Sequence, residues 1–104
     1  MDLDGTNAEG LVRGRHYTSW VDVIKELRRE GGVAEAEQLL LECVAAVESE
    51  SRAEGWGVAP AYYEQLAILY RKESKSEMEL EILRRFARQP HAPGVKPQRL
   101  LDRL

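Results

Sequence analysis

The sequence holds one cysteine, one phenylalanine, two tryptophans and four prolines in 104 residues. A lone cysteine, Cys43, closes no internal disulfide, so the fold requires no oxidising compartment. No apolar run approaches the roughly 18 residues that a membrane-spanning helix needs. Positive charge is not in excess either: 15 Lys and Arg against 18 Asp and Glu leave a formal net charge of -3. A general nucleic-acid binder would carry a clustered basic excess. The opening residues MDLDGTNAEG lack the basic and apolar regions of a secretory signal. A cytoplasmic location and no association with membranes are therefore expected. Sustained period-two alternation is missing as well, which leaves no segment with the pattern of a strand. The expected fold class is all-α.

What is present is helical patterning broken by clear punctuation. Residues 1–14, rich in Gly, Asp and Asn, read as a flexible N-terminal arm. Thr18 or Ser19 suits the cap of a first helix, on which Trp20, Val23, Ile24 and Leu27 define one apolar face. Gly31 and Gly32 end it, because glycine takes the left-handed terminal conformation without steric cost. From Val33 to about Glu54 no Gly or Pro intervenes, and Ala36, Leu39, Leu40, Cys43, Val44 and Val47 hold a single stripe. EGWGVAP, Glu54 to Pro60, breaks this second helix. The third carries Tyr63, Leu66, Ala67, Leu69 and Tyr70. Ser76 with Glu79 forms a capping-box pattern for the fourth, whose expected core contacts are Met78, Ile82, Leu83 and Phe86. QPHAPG stops it, and Pro97 opens a last short helix with Leu100, Leu101 and Leu104. Residues 15–104 read as one domain, with hairpins over 17–54 and 60–89 and a capping helix over 97–104.

The two hairpins superimpose at a constant offset of 43 residues. Trp20 falls on Tyr63, Val23 on Leu66, Ile24 on Ala67 and Leu27 on Tyr70; Ala36 falls on Glu79, Leu40 on Leu83 and Cys43 on Phe86. A shared offset across both helices is the mark of an internal repeat. The spacing Tyr63-x2-Leu66-Ala67-x2-Tyr70, with Trp20-x2-Val23-Ile24-x2-Leu27 and GGVAEA as the other copy, resembles the tetratricopeptide repeat. That resemblance implies two antiparallel hairpins in a right-handed stack, closed by a capping helix, and a role in binding other proteins. The offset exceeds the family's 34 residues. Ile24 stands where a small residue is expected, and Glu79 where alanine is.

Chemistry-bearing patterns are sparse. DLDGT, Asp2 to Thr6, matches the phosphotransfer motif of haloacid-dehalogenase-like enzymes, but no strand precedes it and no parallel sheet follows, so it reads as a chance match. His16, His91 and Cys43 have no paired metal-ligand spacing. The glutamates of AVESESRAEG and EMELEIL read as solvated helix faces with i,i+4 pairs. No catalytic residue, metal or cofactor is expected.

The basic residues carry the functional expectation. In tetratricopeptide arrays the first helix of each hairpin lines a concave peptide-binding surface. The corresponding outward positions here are Thr18, Val21, Lys25, Arg28 and Arg29, then Glu64, Ile68, Arg71 and Lys72. Partner contact is thus expected from Lys25, Arg28, Arg29, Arg71 and Lys72, with Tyr62 and Ile68 as apolar contributors. Such a surface favours an acidic segment or a terminal carboxylate. The same cations also suit helix C-termini on dipole grounds alone, and both readings stand at this level. Arg13, Arg15 and His16 form a second basic cluster, read as either a grip for an acidic group or a solvated arm. Trp56, between glycines, is either a plug over the core or an exposed anchor. The expected function is a non-catalytic adaptor for another protein. The alternatives are a nucleic-acid-associated regulator using a helix–turn–helix and the basic arm, or a structural homo-oligomer.

Overall fold

A computed structural model describes residues 10–55 and 57–90. The fold is all-α: among these residues there are four α-helices and one small two-stranded sheet. Strand β1 (Leu11–Val12) pairs antiparallel with β2 (Arg15–His16). A 3₁₀ turn (Tyr17–Trp20) leads into α1 (Val21–Arg29), followed by α2 (Val33–Glu54), α3 (Ala61–Lys72) and α4 (Ser76–Ala87). The chain divides into two compact units, one ending at Gly55 and one starting at residue 56.

In the first unit α1 and α2 form a helical hairpin. Its buried apolar residues include Ile24, Ala36, Leu39, Leu40, Cys43 and Val44. The 22 unbroken residues of α2 follow from the absence of Gly and Pro between Val33 and Glu54. Gly55, at φ 76°, supplies the left-handed residue that ends it. In the second unit α3 and α4 make the other hairpin around Tyr63, Leu66, Ala67, Tyr70, Ile82, Leu83 and Phe86. The Tyr63 and Phe86 rings lie 5.0 Å apart and tilted by 58°. The amide of Val58 donates to the Pro90 carbonyl at 2.7 Å, tying the approach to α3 to the end of α4.

The two interhelical turns are the same turn. After α1, Gly32 N–H donates to the Leu27 carbonyl and Gly31 N–H to that of Arg28; after α3, Lys75 N–H donates to Tyr70 and Ser74 N–H to Arg71. Each pair is one Schellman motif, and every partner is displaced by the same 43 residues. The left-handed position falls on Gly31 at φ 84° and on Ser74 at φ 58°.

Several expectations need correction. The arm read as 1–14 is not free throughout: Leu11 and Val12 belong to a β-hairpin whose two-residue loop, Arg13-Gly14, has both φ angles positive. That is the type I′ geometry that matches strand twist, and it escapes a search for alternation because each strand has two residues. Neither Thr18 nor Ser19 caps α1; they lie inside the 3₁₀ turn, whose cap is the His16 side chain accepting from Thr18 N–H. Ser76 and Glu79 form no capping box, since Lys75 occupies the cap position and the Glu79 carboxylate is drawn to Arg71. Met78 and Val23, at 40% and 36% exposure, lie outside the cores assigned to them. The capping helix over 97–104 and His91 lie outside the described residues.

Candidate interaction surfaces

On α1 the buried side is fixed by Ile24, with Leu27 half-buried. At 100° per residue this leaves Lys25 and Arg29 turned away, with half-buried Val21 on the flank between them and Ile24. Lys25 and Arg29 are exposed and Arg28 is half-buried. Arg29 pairs with Glu26 one turn back. On α3, Tyr62, Tyr63, Leu66, Ala67, Leu69 and Tyr70 are buried, which leaves half-buried Ile68 between exposed Arg71 and Lys72 on the open side. Arg71 forms an ion pair of 2.8 Å with Glu79 of α4.

Tyr62 is the correction here: it is buried, and an aromatic ring on the core side of α3 is not available as an apolar contact for a partner. Lys25, Arg28 and Arg29 belong to the first unit, and Ile68, Arg71 and Lys72 to the second. Each set occupies the last turn, or the turn before it, of the opening helix in its hairpin. Arg28-Arg29 and Arg71-Lys72 are again 43 residues apart, so the repeat includes its cations.

The second basic cluster is neither a solvated arm nor an open anion grip. Arg13 donates from Nε and Nη2 to the two carboxylate oxygens of Glu42 at 2.9 and 3.0 Å. This two-pronged pair, reinforced by Gln38, holds the Glu42 carboxyl below its ordinary range. It also raises the Arg13 guanidinium further. Arg15 lies over the Trp20 ring at 4.4 Å and donates to the Ser19 carbonyl. Trp20 in turn donates its indole N–H to the Val12 carbonyl at 2.9 Å. His16 meets Glu50 through Nε2 and Thr18 through Nδ1, each at 2.9 Å, and the Tyr17 hydroxyl donates to the other Glu50 oxygen at 2.8 Å. Sequence reasoning missed Glu42 and Glu50, because in α2 they read as ordinary members of a charged helix face.

Among the described residues, two recesses can be placed, each within one unit. One, of about 350 Å³, runs between Leu11, Val12 and Arg13 on one side and Glu42, Ala45 and Ser49 of α2 on the other. The other lies along the outer side of α4, between Met78 and Leu80 with Glu77, Glu81 and Arg84. Cys43 is fully buried, and burial pushes its thiol up to about 11, so it is inert as a nucleophile while covered. Among the described residues, no three His, Cys, Asp or Glu side chains gather as a metal site. No described helix is long and apolar enough to cross a membrane. Trp56 lies outside the described residues. Comparison with protein-family models, curated proteins and solved structures finds no match to the chain.

Proposed function

We propose that this chain is a non-catalytic protein-interaction module, built from two tetratricopeptide-like hairpins, that binds an acidic segment of a partner protein in the cytoplasm. The observation that carries the reading is the duplicated pair of cations, Arg28-Arg29 and Arg71-Lys72, at the end of the first helix of each hairpin. Cations there interact favourably with the helix C-terminus, which explains their tolerance but not the apolar neighbours between them. Val21 and Ile68 sit on the same helix sides as these cations, half-exposed. An apolar side chain with cations on its C-terminal side suits a segment that combines acidic and apolar residues, with Arg giving bidentate contacts to carboxylates.

Selection from a displayed library of random peptides tests this directly. Wild type should enrich sequences rich in Asp and Glu. A variant with Lys25, Arg28, Arg71 and Lys72 all changed to Glu should bind those peptides at least about tenfold more weakly, since each lost charge-assisted contact contributes on the order of 1 kcal/mol. Circular dichroism must show equal helicity in both. Enrichment without acidic bias, or equal binding by the variant, would refute the proposal.

A further inference from the structure

The first unit carries an element that the repeat does not account for. At the offset of 43, Phe86, fully buried against Tyr63, corresponds to Cys43, and Tyr63 itself corresponds to Trp20. These two do not rebuild the aromatic contact. Trp20 turns its indole N–H to the Val12 carbonyl, and the Tyr17 carbonyl oxygen comes to 4.0 Å from the Cys43 sulfur. The segment Gly10–Trp20 therefore closes over α2 at the place where the second hairpin is closed by Phe86.

We infer that Gly10–Trp20 is a releasable clasp, which opens from α2 as a unit while the α1–α2 hairpin stays folded, and so bares Cys43. Its attachment is mostly polar: the Arg13 pair lies at the surface and the Glu50 contacts are part-buried. Glu42 receives both prongs of Arg13, and two helical turns further on Glu50 receives Tyr17 and faces His16. The Arg13 side chain is 50% exposed, and ion pairs in water hold little. Val12 is the one buried apolar side chain that the clasp contributes, beside the half-buried rings of Tyr17 and Trp20. A hairpin of two-residue strands has no stability of its own, and Arg13 sits at φ 52°, a conformation that favours glycine. The hairpin beneath holds Ile24, Leu39, Leu40 and Val44 in its core. Segments with few buried apolar contacts open locally, well below the free energy of global unfolding.

The clasp can be read out through Cys43, the only thiol in the chain. A small aromatic disulfide reagent is added to the full-length protein at fixed pH, over low urea concentrations that leave the helical circular dichroism unchanged. Labelling should be slow relative to the unfolded chain, yet insensitive to urea in this range, because local opening exposes little surface. Glu42→Gln and Glu50→Gln should each speed labelling severalfold, and the pair together on the order of tenfold or more. Glu81→Gln, exposed on α4 in the other unit, should leave the rate unchanged. Hydrogen exchange on wild type gives an arm that needs no variant: amides over residues 10–20 should exchange faster than those of α2. Labelling that follows urea with the slope of global unfolding would overturn the inference. So would glutamine variants without effect, or equal protection of the two segments.

Discussion

Glu42 shows how one side chain ties a local sequence to its unit. Its carboxyl is held low first by the hydrogen bond from Arg13 and then by that from Gln38. A carboxyl lowered on folding adds stability above its unfolded pKa and loses it as pH falls through the folded value. Protection of residues 10–20 from hydrogen exchange, corrected for intrinsic rates, should therefore fall as pH drops below the ordinary carboxylate range. Glu42→Gln should remove that part of the pH dependence. Ser74 offers a second residue-scale test, because its φ of 58° carries the strain that Gly31 avoids at the equivalent position. Ser74→Gly should stabilise the protein by about 0.5–1 kcal/mol, and Gly31→Ala should destabilise it by about 1 kcal/mol. A Cβ at Gly31 meets nothing within 4 Å, so thermal denaturation of Gly31→Ala isolates the backbone cost.

At the scale of elements, the α3–α4 hairpin is held by its apolar face and only trimmed by its charges. Phe86 is fully buried with the Tyr63 ring beside it. Phe86→Ala should cost about 3–5 kcal/mol, since it deletes a whole buried ring and leaves a cavity. Arg71→Ala removes an ion pair whose Arg side chain is 63% exposed, and it should cost less than about 1 kcal/mol. Chemical denaturation of the two variants side by side checks the contrast. A similar cost for both would mean that the Arg71–Glu79 pair orders α4 rather than decorating it. The same arithmetic makes Arg71 a usable probe of partner binding: it can be changed without dismantling the helices that present it.

At the scale of the whole molecule, the duplicated cations predict how affinity divides. Reversing Lys25 and Arg28 alone, or Arg71 and Lys72 alone, should weaken an acidic peptide selected by wild type only partly, with the four-fold variant losing more than either. Titration calorimetry on the three variants checks this. If one pair carries the whole loss, a single hairpin forms the site and the repeat serves the fold alone. Losses beyond the sum of the two would indicate one peptide engaging both hairpins, where the second contact is made at high effective concentration.

The sequence by itself determined the helices and their turns. An uninterrupted α2, the Gly31-Gly32 stop and the spacing of Leu66, Tyr70, Leu83 and Phe86 are local signals, readable because helical periodicity and glycine conformation act over a few residues. The 43-residue offset was legible for the same reason, whereas the shared Schellman turn, in which Ser74 replaces Gly31, came from the structure. Tertiary structure alone decided the fate of the first basic cluster. Arg13 and Glu42 are 29 residues apart and His16 and Glu50 are 34 apart, and no local pattern links a turn residue to a distant helix face. It also decided which apolar residues stay out of the cores, because Met78 and Val23 sit at stripe edges where a few tens of degrees separate buried from exposed. Short-range physics wrote the elements; which charges remain open to a partner followed only once the hairpins and the clasp had closed.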